Sequence, residues 1–325
     1  MTRAAVLGGG VIGLTSAIRL LEKGFRVTVF AREVTPGTTS DIAGAVWLPY
    51  RAAPRERILP WAEATYGEYR KLAGIEGSGV FFTDLVEMFR EASPDPWWGG
   101  AVPAWSRVPP DRLPAGFQDG FRTTVPVVET PLFMPYLMRR LEQSGGALER
   151  GEVRNLADLS RDYPLVVNCS GIGARELVPD PEVFPIRGQV VRIRRPAGLD
   201  PTVLVHDAGE TSIYIVPRRD DCILGGTAQA GNWDRNPDPS TAAEILRRCG
   251  EIAPRLADPE ILEHRVGLRP GRREVRLEVE RGPGGAAVIH NYGHGGSGFT
   301  LCWGCAGEVA RLAGESAPLP RTPGS

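Results

Sequence analysis

The run Gly8-Gly9-Gly10-Val11-Ile12-Gly13 is the first stretch with a chemical use. It fits the spacing G-x-G-x-x-G. Gly8 permits a tight turn, Gly10 lets backbone amides approach a pyrophosphate with no Cβ in the way, and Gly13 lets a helix pack close to a strand. A helix starting here would aim about half a positive charge at the phosphates. Gly8, Gly10, Val11, Ile12 and Gly13 are therefore candidate dinucleotide contacts. An acidic residue after the second strand usually separates one dinucleotide from another. The chain reads Ala31-Arg32-Glu33 there. Arg32 suits the 2′-phosphate of NADP and Glu33 suits a ribose hydroxyl, so an NADP-dependent oxidoreductase and a flavoprotein both stay open on these residues. Cys302-Trp303-Gly304-Cys305 has the spacing of a redox or zinc motif, but no second CxxC completes a metal site. Its cysteines read as small packing residues, and no metal is expected.

The elements that must position these groups follow from periodicity. Residues 3–8 suit a buried parallel strand. Gly13 to Lys23 carries Leu14, Ala17, Ile18 and Leu21 at helical spacing and stops at Gly24. Arg26 to Phe30 is a second strand, completing a β-α-β unit. A helix is expected from about Pro60 to Leu72. Another spans residues 131–142, capped by Thr130 with Pro131 first. Leu165 to Gly171 reads as a buried strand and turn, and residues 187–230 as antiparallel strands. Val288 to Gly298 is a last strand and turn, before a helix from Phe299 to Ala313. The α/β pieces lie at the start, middle and end, with mixed segments between. The expected class is α/β, α+β overall: a Rossmann-like dinucleotide domain carrying an inserted mixed antiparallel sheet. The expected division is 1–50, 126–182 and 266–325 for the first domain, and 51–125 and 183–265 for the second.

The chain has 325 residues and a formal net charge of -1, which supplies no field for nucleic acid or a membrane surface. No apolar run of about 20 residues exists to span a bilayer. The N-terminus lacks a signal-peptide layout, and residues 323–325 read as a frayed tail with no peroxisomal signal. Five cysteines form a sparse, odd set that points to the reducing cytoplasm.

Three segments carry a family resemblance. Thr35-Pro36-Gly37-Thr38-Thr39-Ser40-Asp41-Ile42-Ala43-Gly44-Ala45-Val46-Trp47-Leu48-Pro49-Tyr50 resembles the segment by which D-amino-acid oxidases wrap FAD. His290-Asn291-Tyr292-Gly293-His294-Gly295-Gly296-Ser297-Gly298-Phe299-Thr300 resembles the signature of the same family. Val266-Gly267-Leu268-Arg269-Pro270 is similar to its substrate-arginine motif, and Ser212-Ile213-Tyr214-Ile215-Val216-Pro217 to its tyrosine motif. Asn168-Cys169-Ser170-Gly171 and Arg187-Gly188-Gln189 resemble further family segments near FAD. The likeness spans the chain, most thinly over 51–125.

The resemblance implies a glutathione-reductase-like flavoprotein with FAD as cofactor. Thr38, Thr39 and Ser40 would meet its phosphates and ribityl chain. Ala43, Gly44, Ala45 and Val46 would run along the flavin. Val153, Ser170, Gly171, Gly295, Gly296, Gly298, Phe299 and Thr300 complete the cofactor set. Arg269 would clamp the substrate carboxylate, which a guanidinium matches with two parallel hydrogen bonds. Tyr214 would donate to the same carboxylate. A carbonyl near Gly295 to Ser297 would accept from the amine, which puts Ser297 in the catalytic set. The implied reaction takes a D-amino acid and O2 to the imino acid, hence 2-oxo acid and ammonia, with H2O2 released. No side-chain base is assigned to His206, His264, His290 or His294. Two departures matter. The stretch between His206 and Tyr214 is short and lacks a second lid tyrosine, which predicts easy access and fast product escape. Ala228 stands where D-aspartate oxidases carry arginine, which favours neutral side chains over that alternative. Glycine oxidase is a more distant rival, disfavoured by the full match at residues 290–296. Family members are often dimers, so a homodimer is compatible with the resemblance.

Overall fold

The computed structural model describes residues 1–316. The expected tail at 323–325 lies outside the described residues. The opening strand, Arg3–Leu7, is buried after its first residue. It pairs in parallel with Arg26–Ala31 on one side and Leu165–Asn168 on the other. A strand covered by neighbours and helices on both faces must be apolar throughout, which explains its unbroken run. Ala147–Arg150 joins the outer edge of Arg26–Ala31, also in parallel. Ala287–Tyr292 adds in parallel to Leu165–Asn168, and Arg276–Arg281 closes the other edge antiparallel, giving six strands.

The helix Val11–Glu22 leaves the first strand at the glycine turn and ends at Lys23. Gly24 follows at φ 84°, the left-handed residue that closes such helices. Leu14, Ala17 and Ile18 face inward and are fully buried. Each such Leu or Ile contributes roughly 1.5–3 kcal/mol by leaving water. The last helix, Gly298–Ser316, packs beside it, with Thr15 Oγ1 donating to the Cys302 carbonyl (3.2 Å). Cys302 and Cys305 are fully buried in that helix. Burial pushes the Cys302 thiol up to about 12, so neither spacing nor acidity makes it a redox centre.

The second sheet has nine strands. Its centre runs through Phe184–Arg194, Asp221–Gly225, Ile213–Pro217 and Val203–His206. Val80–Phe89 and Asp119–Val128 extend one side, and Ile261–Gly271 pairs along Phe184–Arg194. Asp119–Val128 runs across residues 125 and 126, and Ile261–Gly271 across residues 265 and 266. The strand carrying Arg269 therefore belongs to the nine-stranded sheet.

Two helix starts differ from expectation. The helix expected from Pro60 begins at Arg55 and takes Pro60 into its second turn, giving up one backbone bond there. The helix expected after a Thr130 cap begins at Thr130 itself. The Thr130 hydroxyl donates to the Asp41 carbonyl at 3.0 Å, and Glu129 takes the cap position without a side-chain bond. Among the described residues no helix is long and apolar enough to cross a membrane.

Candidate active site

A cavity of about 710 Å³ runs from the glycine turn to the second sheet. That is within the span of about 300–1,000 Å³ usual for small-molecule sites. The expected cofactor residues border it except Gly295 and Thr300, and of the expected catalytic residues Tyr214 and Arg269 border it while Ser297 does not.

One end is built from the first β-α-β unit. Gly10 caps the helix without a side chain, and the Val11 amide donates to Ser40 Oγ (3.0 Å). A Cβ on Gly10 would meet that same hydroxyl at 3.1 Å and fill the cradle. A Cβ on Gly8 would overlap the Cys169 carbonyl, and one on Gly13 the Gly8 carbonyl, so both positions require glycine. The amides of the first helical turn have no partner within the helix and suit a phosphate. The residues present thus fit a dinucleotide. Arg32 is flanked by Glu152 (3.6 Å) and Glu33 (3.8 Å). Two carboxylates at that guanidinium disfavour a 2′-phosphate. Thr38 differs in its role from the expected phosphate contact. Its hydroxyl and amide both bond Asp41 (2.6 and 2.9 Å), forming the cap of the short helix Thr39–Ile42.

The middle of the cavity is lined by residues 43–46 and Leu48. Buried Arg218, which sequence reasoning missed, donates to the carbonyls of Ala43 (2.7 Å) and Gly44 (3.1 Å). Ser297 and Thr300 hold the same segment from the opposite side. Ser297 Oγ accepts from the Tyr50 amide (2.7 Å) and donates to the Tyr50 carbonyl. Thr300 Oγ1 accepts from the Leu48 amide (3.2 Å) and donates to its carbonyl (2.9 Å). The Ser297 carbonyl already accepts from Leu301 (3.0 Å). These two side chains position the wall and do not face the cavity. Gly295 does likewise, at φ 62°, its amide donating to the Pro270 carbonyl (2.9 Å).

At the far end, Arg269 Nη1 donates to the Thr227 carbonyl (2.9 Å) and Nη2 lies 3.4 Å from the Tyr214 hydroxyl. Among the described residues no carboxylate pairs with this guanidinium. Three glycines make room for the two side chains. A Cβ on Gly188 would overlap the Arg269 guanidinium, and one on Gly225 the Tyr214 ring. A Cβ on Gly226 would come within 2.9 Å of the Tyr214 hydroxyl. Gly225 stands directly opposite Tyr214 across the strands, and Gly188 opposite Gly267. Burial pushes the Tyr214 phenol above its usual range, against the opposing pull of Arg269. It stays a hydrogen-bond donor at neutral pH. Tyr50, Asp207 and Ser212 also border this end, and none was singled out from sequence. Ser212 Oγ donates to Asp207 (2.8 Å), and Arg51 donates to the Gly209 carbonyl (2.5 Å), tying down the short loop after His206.

Glu87 stands behind this wall, accepting from Trp98 Nε1 (3.0 Å). Burial, reinforced by Asp207, pushes its carboxyl up to about 7 in spite of the Trp98 bond. The folded protein therefore holds this proton more tightly than the unfolded chain does. The linked stability is complete below about pH 4.5 and is lost as pH rises to about 7. Glu87→Gln is expected to raise Tm at about pH 8 and leave it near wild type at about pH 5. Thermal melts at both values check this, and an equal shift at both would contradict it.

The family model for DAO, FAD dependent oxidoreductase, matches residues 3–312. The chain belongs to this family. FAD is therefore the cofactor, and the NADP alternative falls. Among similar proteins is a D-amino-acid oxidase of Rubrobacter xylanophilus, 51% identical over 317 residues, covering 97% of both chains. Another is a D-amino-acid oxidase of Streptomyces coelicolor, 43% identical over 95% of both. The fold is also that of a glycine oxidase from Geobacillus kaustophilus, with a TM-score of 0.79 at 20% identity over 98% of this chain and 95% of that one. The family's α/β framework with mixed sheets agrees with the class expected from sequence.

Proposed function

We propose that this chain oxidises D-amino acids with neutral side chains to imino acids. The observation that carries it is the uncompensated Arg269 guanidinium beside the Tyr214 hydroxyl, in the wall of the FAD cavity. The two relatives above support the same reading. The glycine turn and residues 43–46 would hold FAD, which would supply two-electron oxidation of the substrate Cα–H with O2 as final acceptor; H2O2 would be released, and the imino acid would hydrolyse in water to 2-oxo acid and ammonia.

The chain's own work is orientation. Arg269 and Tyr214 hold the carboxylate. A backbone carbonyl of the 295–297 turn takes the amine; Gly296 is the member of that turn at the cavity, since the Ser297 carbonyl is engaged. With both groups fixed, only one enantiomer turns its Cα–H toward the flavin. No histidine is needed as a base. Burial pushes His294 down to about 4, so it stays neutral. By the resemblance, Ala228 stands where D-aspartate oxidases carry arginine; its side chain is small and buried, and the Asp207 carboxylate borders the cavity. D-Aspartate is thus the less favoured substrate.

The proposed division of labour is a six-stranded layer for FAD and a nine-stranded layer for substrate. The five buried, unpaired cysteines support a cytoplasmic location, and the family resemblance supports a homodimer. A peroxide assay across paired D- and L-amino acids tests the reading. Release with D-alanine well above L-alanine and D-aspartate is expected; equal release from both alanines would overturn it.

A further inference from the structure

We propose that Arg235 is a cofactor-binding residue, a guanidinium supplied from the nine-stranded layer to the adenosine end of FAD. Arg235 lies beyond Gln229–Ala230, the edge strand of that sheet. It nevertheless borders the cavity together with Arg32, Glu33 and Glu152 from the other layer. Its Nη1 is 3.9 Å from Glu33 Oε1. That is a long ion pair, and it leaves donors free for a further acceptor.

The backbone around it is held with unusual care. Arg187 is buried, 3% exposed, and donates from Nε to the Asp234 carbonyl (2.9 Å) and from Nη2 to the Asn236 carbonyl (2.7 Å). These are the carbonyls on either side of Arg235. Arg187 Nη1 reaches Gln229 Oε1 (3.0 Å), and Nη2 also meets Gln189 Oε1 (3.0 Å). Gln189 in turn donates to the Asp238 carbonyl (2.7 Å) and accepts from the Asp238 amide (2.9 Å). Burying a guanidinium is costly unless its donors are satisfied. Here they are satisfied by fixing the chain on both flanks of one exposed arginine.

The acceptors offered at this end of the cavity follow from the chemistry of FAD. Glu33 suits the ribose hydroxyls and the first-turn amides suit the pyrophosphate. The ribose and phosphate oxygens of the adenylate half are what Arg235 would bind, since a guanidinium carries several donors in a planar fork. Bound FAD would then bridge the two layers. The proposal rests on the cofactor's identity and not on the substrate, so the D/L assay stands or falls separately.

The test is FAD release from diluted holoenzyme, followed by the rise in flavin fluorescence. Arg235 is exposed, with 57% of its side chain accessible, so its variants are expected to fold. Arg235→Ala should release FAD roughly threefold to tenfold faster, with Arg235→Lys between it and wild type. The gap between Ala variant and wild type should narrow in about 1 M salt, because the contact is solvent-facing. Release from Arg235→Ala at the wild-type rate would overturn the proposal. So would Arg235→Lys releasing as fast as Arg235→Ala, since the loop's shape rather than its charge would then matter.

Discussion

Arg269→Ala is expected to lower kcat/KM for D-alanine about a hundredfold or more while the protein stays yellow. Hydrogen bonds to a charged group contribute about 1.5–3 kcal/mol each. A guanidinium gives a carboxylate two of them, so the lower bound is about 3 kcal/mol, or roughly two powers of ten. The loss includes both orientation and affinity, so kcat and KM should both change. The flavin spectrum should not, because the glycine turn and the segment from Ala43, which are proposed to hold FAD, lie elsewhere on the wall. Tyr214→Phe removes a single neutral donor and should cost closer to tenfold. Steady-state rates beside a visible spectrum check both. Wild-type kinetics for Arg269→Ala would remove the arginine from its role.

Gly188→Ala is expected to do almost as much damage without touching a charged group. A Cβ there would stand inside the space of the Arg269 guanidinium. The strand backbone on either side is paired to Ile261–Gly271 and cannot move aside, so the arginine must. It would lose its bond to the Thr227 carbonyl as well as its aim. The expected fall in kcat/KM is at least about tenfold, approaching that of Arg269→Ala. The two changes act on one group, so the double variant should be no worse than Arg269→Ala alone. Additive losses would show that Gly188 matters for some other reason.

These two residues also show what was legible in the chain. Arg269 and Tyr214 stand in local motifs, and the glycine turn reads as chemistry because its three requirements fall within six neighbouring positions. Gly188 was visible only as part of a family-like triplet. Its use depends on strand register, which sets Gly188 opposite Gly267 and beneath a side chain two residues further on. Arg187 was visible only in that same triplet and Arg218 was silent, since a buried arginine gripping distant carbonyls has no local pattern. Ser297 was read as a catalytic residue from its place in a motif. The structure turns its hydroxyl onto Tyr50, where it fixes the cavity wall from behind. The misplaced helix starts have the same origin: Thr130 looks like a cap by residue type, but the helix begins on it and its hydroxyl tethers the distant Asp41 carbonyl.

The most direct test is anaerobic mixing of the yellow protein with D-alanine or L-alanine, read by visible absorption. With O2 absent, only the reductive half of the reaction is observed. Rapid bleaching by the D form, with the L form leaving the colour unchanged, is the predicted result. Equal bleaching by both forms, or none by either, would contradict a site in which Arg269 and Tyr214 fix which face of the substrate meets the flavin.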